Sequence, residues 1–335
     1  MLSEVYDRLA ARMGRHVYWE KNVGSMTTYR VGGPASVFAA IQRLEDLQVV
    51  ASVFDELDYK GHVLVIGKGS NLLVADGGFK GVVITLGAAF SRLGIPGNTY
   101  NDILDWTSDR DKDERNEPQG GRIKIRAGAA LALPALARKA VSAGMLGAEW
   151  CVGIPGSVGG GVKMNAGGHG SDMASMLDGC LIFNLDTGAL ESRSVGDLNV
   201  SYRRSNITPY EVILTADIWL VRGEPVEGRR RIAEIVRWRR EHQPGGSNAG
   251  SVFVNPEAEA AGSLVERSGL KGMRIGTAQV STKHANFIQV DDGGSADDVY
   301  RLMCYVAESV REKFGVELRT EVQLAGFSNT TYDGS

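Results

Sequence analysis

Cysteine, proline and long apolar runs are scarce in this chain, and each scarcity argues against a class of protein. Its 335 residues include three cysteines, which lie far apart and form no Cys-x-x-Cys pair: Cys151, Cys180 and Cys304. We therefore expect no disulfide framework, no bound metal and a reducing compartment. No stretch reaches the roughly eighteen apolar residues that a membrane-spanning helix needs. Nine prolines without a sequence repeat argue against a collagen-like chain.

An excess of charge of either sign is also lacking. Lys and Arg together number 37 and Asp and Glu 40, which gives a formal net charge of -3. Proteins that bind nucleic acid or anionic membranes usually carry a basic excess, so we expect no nucleic-acid partner and no membrane insertion. The first residues, MLSEVYDRLAARMGRH, lack the apolar segment of a secretory signal, which predicts a cytoplasmic location.

Glycine, by contrast, is abundant. It accounts for 43 of the 335 residues, about 13%, whereas its usual share in proteins is roughly 7%. The two common nucleotide-binding glycine motifs are nevertheless absent. Gly67-Lys68-Gly69 lacks the third glycine of G-x-G-x-x-G, and Lys68 is followed by glycine, not by the Ser or Thr of a P-loop. The sequence therefore predicts neither a Rossmann dinucleotide fold nor a P-loop.

Three glycine clusters lie beside predicted strands, at residues 30–33, 67–71 and 153–161. Glycine has no Cβ, so its backbone N–H can approach an anion closely. Tight turns alone are the structural alternative for any single cluster. For the three together we predict a cradle for a pyrophosphate. Its expected contacts are Arg30, Gly32, Gly33, Gly67, Lys68, Gly69, Ser70, Asn71, Gly153, Ile154, Gly156, Ser157, Gly159 and Gly160.

Hydrophobic periodicity predicts a mixed α+β chain. The last predicted helix has Ser295 as its N-cap and Gly315 as its stop. Residues 91–121 are polar and turn-rich, and we interpret them as an exposed excursion without catalytic or binding residues.

The predicted helices span 3–13, 43–57, 133–144, 229–242, 257–268 and 296–314. The predicted strands span 62–74 around a glycine turn, 81–86, 122–128, a hairpin around 186–188, 211–221, 285–290 and 316–327.

Several longer motifs occur in a fixed order along residues 20–327. They are TTYRVGGPA, VIGKGSNLLVADGGFKGVVI, GIPGSVGGGVKMNAGGHG, SYRRS, NAGSVFVNP, LKGMRIGTAQVSTKHANFI and LRTEVQLAG. In this order they resemble the UDP-N-acetylenolpyruvoylglucosamine reductase family, flavoenzymes of bacterial peptidoglycan precursor synthesis. The agreement of several motifs in register makes the resemblance specific, because any single one would be weak.

The resemblance implies a fold, a reaction and two cofactors. The fold is a FAD-binding fold of the vanillyl-alcohol-oxidase-like type with subdomains 1–87 and 88–222, followed by a substrate domain, 223–335. The reaction is NADPH-dependent reduction of the enolpyruvyl ether of the UDP-sugar to the lactyl ether of UDP-N-acetylmuramate. The cofactors are FAD and NADPH, and the partner is the UDP-sugar. We expect a monomer.

Single residues also match the family's motifs. Arg203 matches the catalytic arginine, Ser251 the proton-donating serine and Glu321 the catalytic glutamate. On local sequence alone, the structural alternatives are a surface arginine, a turn serine and a solvent-facing glutamate. The positions that match contacts to the UDP-sugar are Tyr202, Asn255, Lys271 and His284, with either Arg239 or Arg240 for its diphosphate.

Two other functions remain open on the sequence. One is another FAD-dependent oxidoreductase of the same superfamily, which would not need the pair Ser251 and Glu321. The other is a non-catalytic nucleotide-binding module, which would tolerate the loss of Arg203 as well. The presence of all three residues favours the reductase.

Overall fold

The computed structural model describes residues 1–95 and 121–327, which contain both helices and strands. The helices are α1 (Leu2–Met13), α2 (Leu44–Glu56), α3 (Leu133–Ser142), α4 (Val158–Lys163), α5 (Pro225–His242), α6 (Ala261–Arg267) and α7 (Ala296–Phe314). The first ten strands are β1 (Val17–Asn22), β2 (Pro34–Ile41), β3 (His62–Val65), β4 (Leu72–Val74), β5 (Phe79–Leu86), β6 (Leu93–Gly94), β7 (Arg122–Gly128), β8 (Met145–Leu146), β9 (Gly167–Gly168) and β10 (Ser171–Asp172). The others are β11 (Leu177–Asn184), β12 (Leu190–Ser194), β13 (Glu211–Arg222), β14 (Arg274–Ile275), β15 (Ala278–Val280), β16 (Ile288–Val290) and β17 (Gln323–Ala325).

Most predicted elements are confirmed, but several differ in extent; the predicted strand 285–290, for example, is reduced to β16. Helix α5 begins four residues before the predicted 229, at Pro225, because proline suits the first turn of a helix. Helix α6 begins at Ala261 and not at 257, because the side chain of Asn255 accepts the N–H of Ala261 at 3.0 Å. The predicted strand 316–327 is reduced to β17. Of the predicted excursion, residues 96–120 lie outside the described residues.

The strand over 316–327 is short because its backbone changes partner along its length. Glu321 N–H donates to Val252 at 2.8 Å, whereas Gln323 N–H donates to Asn71 at 3.0 Å. A regular ladder needs one continuous partner strand. The alternating sequence pattern predicted the extended backbone, but it carried no information about the change of partner.

The described residues form two compact units. The first unit consists of Met1–Tyr18, Val37–Lys68 and the described part of Gly81–Arg237. The second consists of Trp19–Ser36, Gly69–Lys80 and the described part of Trp238–Ser335. The chain thus passes from one unit to the other several times. The division at residues 87 and 223 stays a prediction.

Two sheets organise the first unit. One has the strand order β1-β2-β5-β3, with β3 and β5 parallel. The other has the order β12-β11-β13-β7-β6 with antiparallel pairing, and β8 also pairs with β13. The predicted hairpin around 186–188 is the turn between β11 and β12. Helices α1 and α2 bury Val5, Leu9 and Leu47 in a core shared with both sheets.

The second unit is built around α7. This helix packs its buried face on the antiparallel sheet β14-β15-β16, and β4 pairs in parallel with β17. The predicted ends of α7 are confirmed, because Ser295 Oγ accepts Asp298 N–H at 3.1 Å and Gly315 has φ 67°. Among residues 1–95 and 121–327, no helix is both long enough and apolar enough to cross a bilayer.

Asp298 joins the first turn of α7 to the turn between β14 and β15. Its buried carboxylate accepts the N–H of Thr277 at 2.7 Å and the hydroxyl of Thr277 at 2.8 Å, and it also pairs with Arg301. These donors, the Thr277 amide above all, lower the pKa of Asp298 from its usual value. The carboxylate form therefore stabilises the folded chain.

We predict that Asp298→Asn lowers the free energy of unfolding by about 1–3 kcal/mol near pH 7, because buried donors lose their charged acceptor. The folded-state pKa lies below the unfolded-state pKa of roughly 3.9, so this stabilisation is complete above that value and is lost as the pH falls below it. Urea unfolding of both proteins should show the difference shrinking in acid. Asp292→Asn, an exposed neighbour, is the control. A difference that stays constant in acid would contradict the assignment.

Candidate active site

A pocket in the first unit collects residues from two of the predicted glycine clusters. It is a cleft with about 540 Å³ of empty space, part of which is open to solvent. Five residues predicted to bind the cofactor line it, whereas Gly153, Ile154 and Gly156 are not among its lining residues. The lining residues are Val65, Ile66, Gly67, Lys68, Leu86, Ala129, Ala130, Ser157, Gly159, Gly160, Lys163, Ile207, Glu211 and Ile213.

Backbone hydrogen bonds fix the glycine-rich wall of this pocket. Val158 N–H donates to Leu131 at 2.8 Å and Gly159 N–H donates to Ala129 at 2.9 Å. The hydroxyl of Ser157, which is buried, accepts Gly160 N–H at 3.3 Å. The wall is therefore held by hydrogen bonds within its own chain.

The facing loop can approach this wall only because residue 67 has no side chain. A Cβ at Gly67 would overlap Ser157 Oγ, and a Cβ at Gly159 would lie 2.9 Å from the Cβ of Ala129. Real Cβ atoms do not tolerate such contacts, so a side chain at either position would force the wall or the loop to move. Glycine at 67 and 159 therefore sets the shape of the pocket.

The loop presents backbone donors that no described residue uses. Ile66 N–H donates to Ile84 at 2.9 Å, but the amides of Gly67 and Lys68 donate to none of residues 1–95 and 121–327. Successive amides of this kind form anion-binding concavities. The donors suit a diphosphate, and the apolar lining residues of the pocket suit a planar ring. The chemistry of the pocket therefore suits parts of a dinucleotide such as FAD.

Sequence reasoning missed two charged residues in the pocket lining, Lys163 and Glu211. Burial lowers the pKa of Lys163. Burial alone would raise the pKa of Glu211, but the N–H of Thr208 and the guanidinium of Arg193 outweigh it and the pKa is lowered. A lysine between apolar Val162 and Met164 in a glycine-rich segment was the available signal.

The remaining predicted cofactor contacts lie in the second unit. Gly33 N–H donates to Ala75 at 2.9 Å, and a Cβ at Gly32 would overlap the carbonyl of Val74. Arg30 has φ 59°, and Thr28 N–H near it donates to Gly69 at 3.0 Å. These contacts support the loop at residues 69–71. Convergence of the three glycine clusters on one ligand stays a prediction.

Arg203 lies in a turn that is fastened to the glycine-rich segment of the first unit. Its Nη2 donates to the Gly167 carbonyl at 3.1 Å, and its φ is 59°. Ser205 Oγ donates to the Lys163 carbonyl at 2.7 Å, and Asn165 Nδ2 donates to Ser201 at 3.1 Å. The guanidinium is half-buried and lies 5.0 Å from the exposed ring of Tyr202. Arg203 is therefore a positioned residue and not a free surface arginine.

Ser251 and Glu321 are brought together in the second unit. Glu321 N–H donates to the carbonyl of Val252, the residue next to Ser251, at 2.8 Å. Asn71 Nδ2 donates to the Glu321 carbonyl at 2.9 Å. Both Ser251 and Glu321 are half-buried, and Gly250 before the serine has φ 80°. Asn71, predicted as a cofactor contact, thus also holds the backbone of Glu321.

The predicted sugar-binding residues of the second unit differ in their surroundings. Arg239 is half-buried, its Nε donates to Gln243 at 2.7 Å, and burial lowers its pKa. Arg240 is exposed. Lys271 forms an ion pair with Glu266 at 2.8 Å.

His284 is positioned by its neighbours in the same unit. Burial lowers its pKa, and its Nδ1 accepts Asn286 N–H at 3.3 Å. An acceptor at Nδ1 places the proton of the neutral ring on Nε2. His284 can therefore donate a hydrogen bond from Nε2.

Comparison with known proteins assigns the chain to a family. Residues 35–191 match the model of a FAD binding domain, and residues 242–325 match the C-terminal domain of UDP-N-acetylenolpyruvoylglucosamine reductase. The chain is 35% identical over 329 residues to UDP-N-acetylenolpyruvoylglucosamine reductase 1 of Bacillus anthracis, covering 96% of this chain and 98% of that protein. The chain belongs to the UDP-N-acetylenolpyruvoylglucosamine reductase family.

Other members of this reductase family are similar to the chain over most of its length, and one of them is also similar in structure. The reductase of Heliobacterium modesticaldum is 38% identical over 312 residues, which are 92% of this chain and 90% of that protein. The crystal structure of the reductase from Thermus caldophilus matches with a TM-score of 0.73 and 32% identity, over 92% of this chain and 98% of that chain. The predicted α+β fold with a FAD-binding part and the family's C-terminal domain is confirmed.

We predict that Gly67→Ala weakens FAD binding about tenfold or more, because overpacking against Ser157 costs about 1–3 kcal/mol. The dissociation constant is measured by titrating apoprotein with FAD and following flavin fluorescence. Gly77→Ala is the matched control, because a Cβ at Gly77 meets no atom within 4 Å. Equal FAD affinity of the Gly67→Ala variant and the unchanged protein would show that this contact does not shape the site.

Proposed function

We propose that this chain catalyses the NADPH-dependent reduction of the enolpyruvyl ether of UDP-N-acetylenolpyruvoylglucosamine to UDP-N-acetylmuramate, a step of peptidoglycan precursor synthesis. The observation that carries the proposal is the similarity to reductases of this name along 96% of the chain. The pocket of the first unit supports it, because its free amides and apolar lining suit FAD.

The chemistry divides between the cofactor and the side chains. FAD, when bound, supplies the hydride that no protein side chain can supply, and NADPH is the reductant that restores it. In the first unit, the amides of Gly67 and Lys68 and the wall at 157–160 are the groups that would bind the nucleotide. It must also stabilise charge on the substrate and deliver one proton.

Arg203 suits the charge that develops during reduction. Hydride addition at the methylene carbon of the enolpyruvyl group leaves negative charge on the neighbouring carbon, delocalised into the carboxylate. A positioned guanidinium can donate two parallel hydrogen bonds to a carboxylate. The hydrogen bond of Arg203 to Gly167 and its half-buried position support this role, because a pre-oriented donor needs little reorganisation during the reaction.

Ser251 is our proposed donor of the proton to the neighbouring carbon. A serine hydroxyl is a weak acid in water, so its surroundings must favour the transfer. The backbone hydrogen bond from Glu321 to Val252 keeps the two residues on adjacent segments, which supports a shared role. Glu321 would hold the hydroxyl in position for the transfer.

The UDP-sugar is our proposed ligand for the remaining predicted residues. We assign its diphosphate to Arg239 rather than Arg240, because Arg239 is half-buried and a less solvated guanidinium gains more from an anion. The Nε2 proton of His284 suits an oxygen acceptor on the substrate. Asn255, Lys271 and Tyr202 complete the proposed contacts. The monomeric state and the cytoplasmic location are further parts of this proposal.

The first test measures cofactor and activity together. We expect the purified protein to be yellow, to release FAD into the supernatant after acid denaturation, and to oxidise NADPH in a way that depends on the UDP-sugar. The lactyl ether is identified by mass spectrometry. A protein that neither contains nor takes up FAD, or that oxidises NADPH no faster with the UDP-sugar, would contradict the proposed function.

The second test concerns Ser251. We expect Ser251→Ala to bind FAD and to be reduced by NADPH at a near-normal rate, because that step needs no proton from the serine. Reoxidation by the enolpyruvyl substrate should slow by about 10²–10⁴-fold, the usual contribution of a general acid. Rapid-mixing absorbance at the flavin band separates the two steps.

Two further variants make this test specific. Ser251→Cys should keep more activity than Ser251→Ala, because a thiol can also donate a proton. Ser309→Ala on α7, whose hydroxyl donates to the Tyr305 carbonyl at 2.8 Å, should behave as the unchanged protein. Normal reoxidation of Ser251→Ala would move the proton donor elsewhere, with Glu321 as the next residue to test.

A further inference from the structure

Lys163 is a charged residue in the pocket lining that the motifs do not explain. It is the last residue of α4, it is half-buried, and it is one of the residues that line the pocket. Among residues 1–95 and 121–327 its ammonium group forms no hydrogen bond and no ion pair. The second lysine of the lining, Lys68, is exposed. Water therefore solvates Lys68 better than Lys163.

The carboxylate nearest in the lining does not act as the partner of Lys163. Glu211 Oε1 pairs with Arg193, and Glu211 Oε2 accepts Thr208 N–H at 2.7 Å. Glu211 is 6% exposed, and its charge is compensated by Arg193. The charge of Glu211 favours the protonated form of Lys163, but burial outweighs it. The pocket therefore contains one half-buried cation without a counter-ion of its own.

A half-buried ammonium group without a partner is unfavourable unless a ligand supplies the anion. The pocket that Lys163 lines also offers the unused amides of residues 67 and 68, which suit the same charge. In oxidised FAD the diphosphate is the group that carries negative charge near neutral pH. An ammonium group has three donors and no acceptor, so the diphosphate is its best partner in that cofactor.

We propose that Lys163 is a cofactor-binding residue whose ammonium group forms an ion pair with the diphosphate of FAD in this pocket. The inference rests on the proposed function, because it requires that FAD binds in this pocket. It assigns a residue outside the glycine motifs to the cofactor. It also explains why a cation is placed between Val162 and Met164, where the chain is otherwise apolar.

The test compares Lys163→Met with Lys163→Arg and with the unchanged protein, each prepared as apoprotein. Titration with FAD and with riboflavin, which lacks the diphosphate, gives dissociation constants from flavin fluorescence. Loss of a charge-assisted hydrogen bond of about 1.5–3 kcal/mol corresponds to about 10- to 100-fold weaker FAD binding by Lys163→Met. Riboflavin binding should not change, and Lys163→Arg should retain most of the FAD affinity.

Salt and a matched control complete the experiment. The difference between Lys163→Met and the unchanged protein should shrink at high KCl, because salt screens the ion pair. Lys139→Met removes an exposed lysine of α3 and should bind FAD normally. Thermal unfolding of the apoproteins reports whether each variant is folded.

The outcomes separate this inference from the function on which it rests. Unchanged FAD affinity of Lys163→Met, or an equal loss for FAD and riboflavin, would overturn the ion pair while the unchanged protein still binds FAD. An affinity loss that does not depend on salt would also overturn it and point to an uncharged contact. If the unchanged protein takes up no FAD, the proposed function falls and the inference with it.

Discussion

The contact between Ser157 and residue 67 is the constraint on which the first unit's pocket depends. Ser157 is 2% exposed, and its hydroxyl accepts Gly160 N–H, so it cannot move aside without losing that hydrogen bond. A side chain at position 67 would occupy the same space. The loop that carries the amides of Gly67 and Lys68 can therefore lie against the wall only because residue 67 is glycine. This close approach shapes the pocket.

The same segment also fixes Arg203. The carbonyl of Lys163, a lining residue of the pocket, accepts a hydrogen bond from Ser205 Oγ, and the Gly167 carbonyl accepts one from the guanidinium of Arg203. The segment 157–167 thus contributes the pocket wall, a half-buried cation and the carbonyl that orients the proposed catalytic arginine. A substitution that shifts this stretch would alter cofactor binding and catalysis together.

The sequence predicted the regular elements better than the contacts among irregular ones. Helix α7 was predictable to its ends because its stripe, its N-cap Ser295 and its stop Gly315 are all local signals. The change of backbone partner near Glu321 was not, because it depends on Asn71, which is 250 positions away in the chain.

The site residues, too, were predictable where the signal is local and not where it depends on the folded chain. The glycine clusters were visible as local composition, and the motif order supplied Arg203, Ser251 and Glu321. Sequence reasoning missed Lys163 because no motif spacing marks it. What distinguishes this lysine is that its ammonium group has no partner within the described residues. Burial and pairing are properties of the folded chain, so no local pattern reports them.

The interleaving of the two units has a consequence for how the protein is made. Tyr29, Val31 and Leu73 belong to the same core as Val252 and Val322, so early apolar residues find their partners only near the end of synthesis. Contacts of such long sequence separation form slowly and leave apolar surface exposed in the meantime. A nascent chain can complete the first unit's core from residues already made, but the second unit's core must wait for the last quarter of the chain. The core of the second unit is therefore expected to form only after most of the chain has been made, and its N-terminal part is the segment most exposed to aggregation and proteolysis until then.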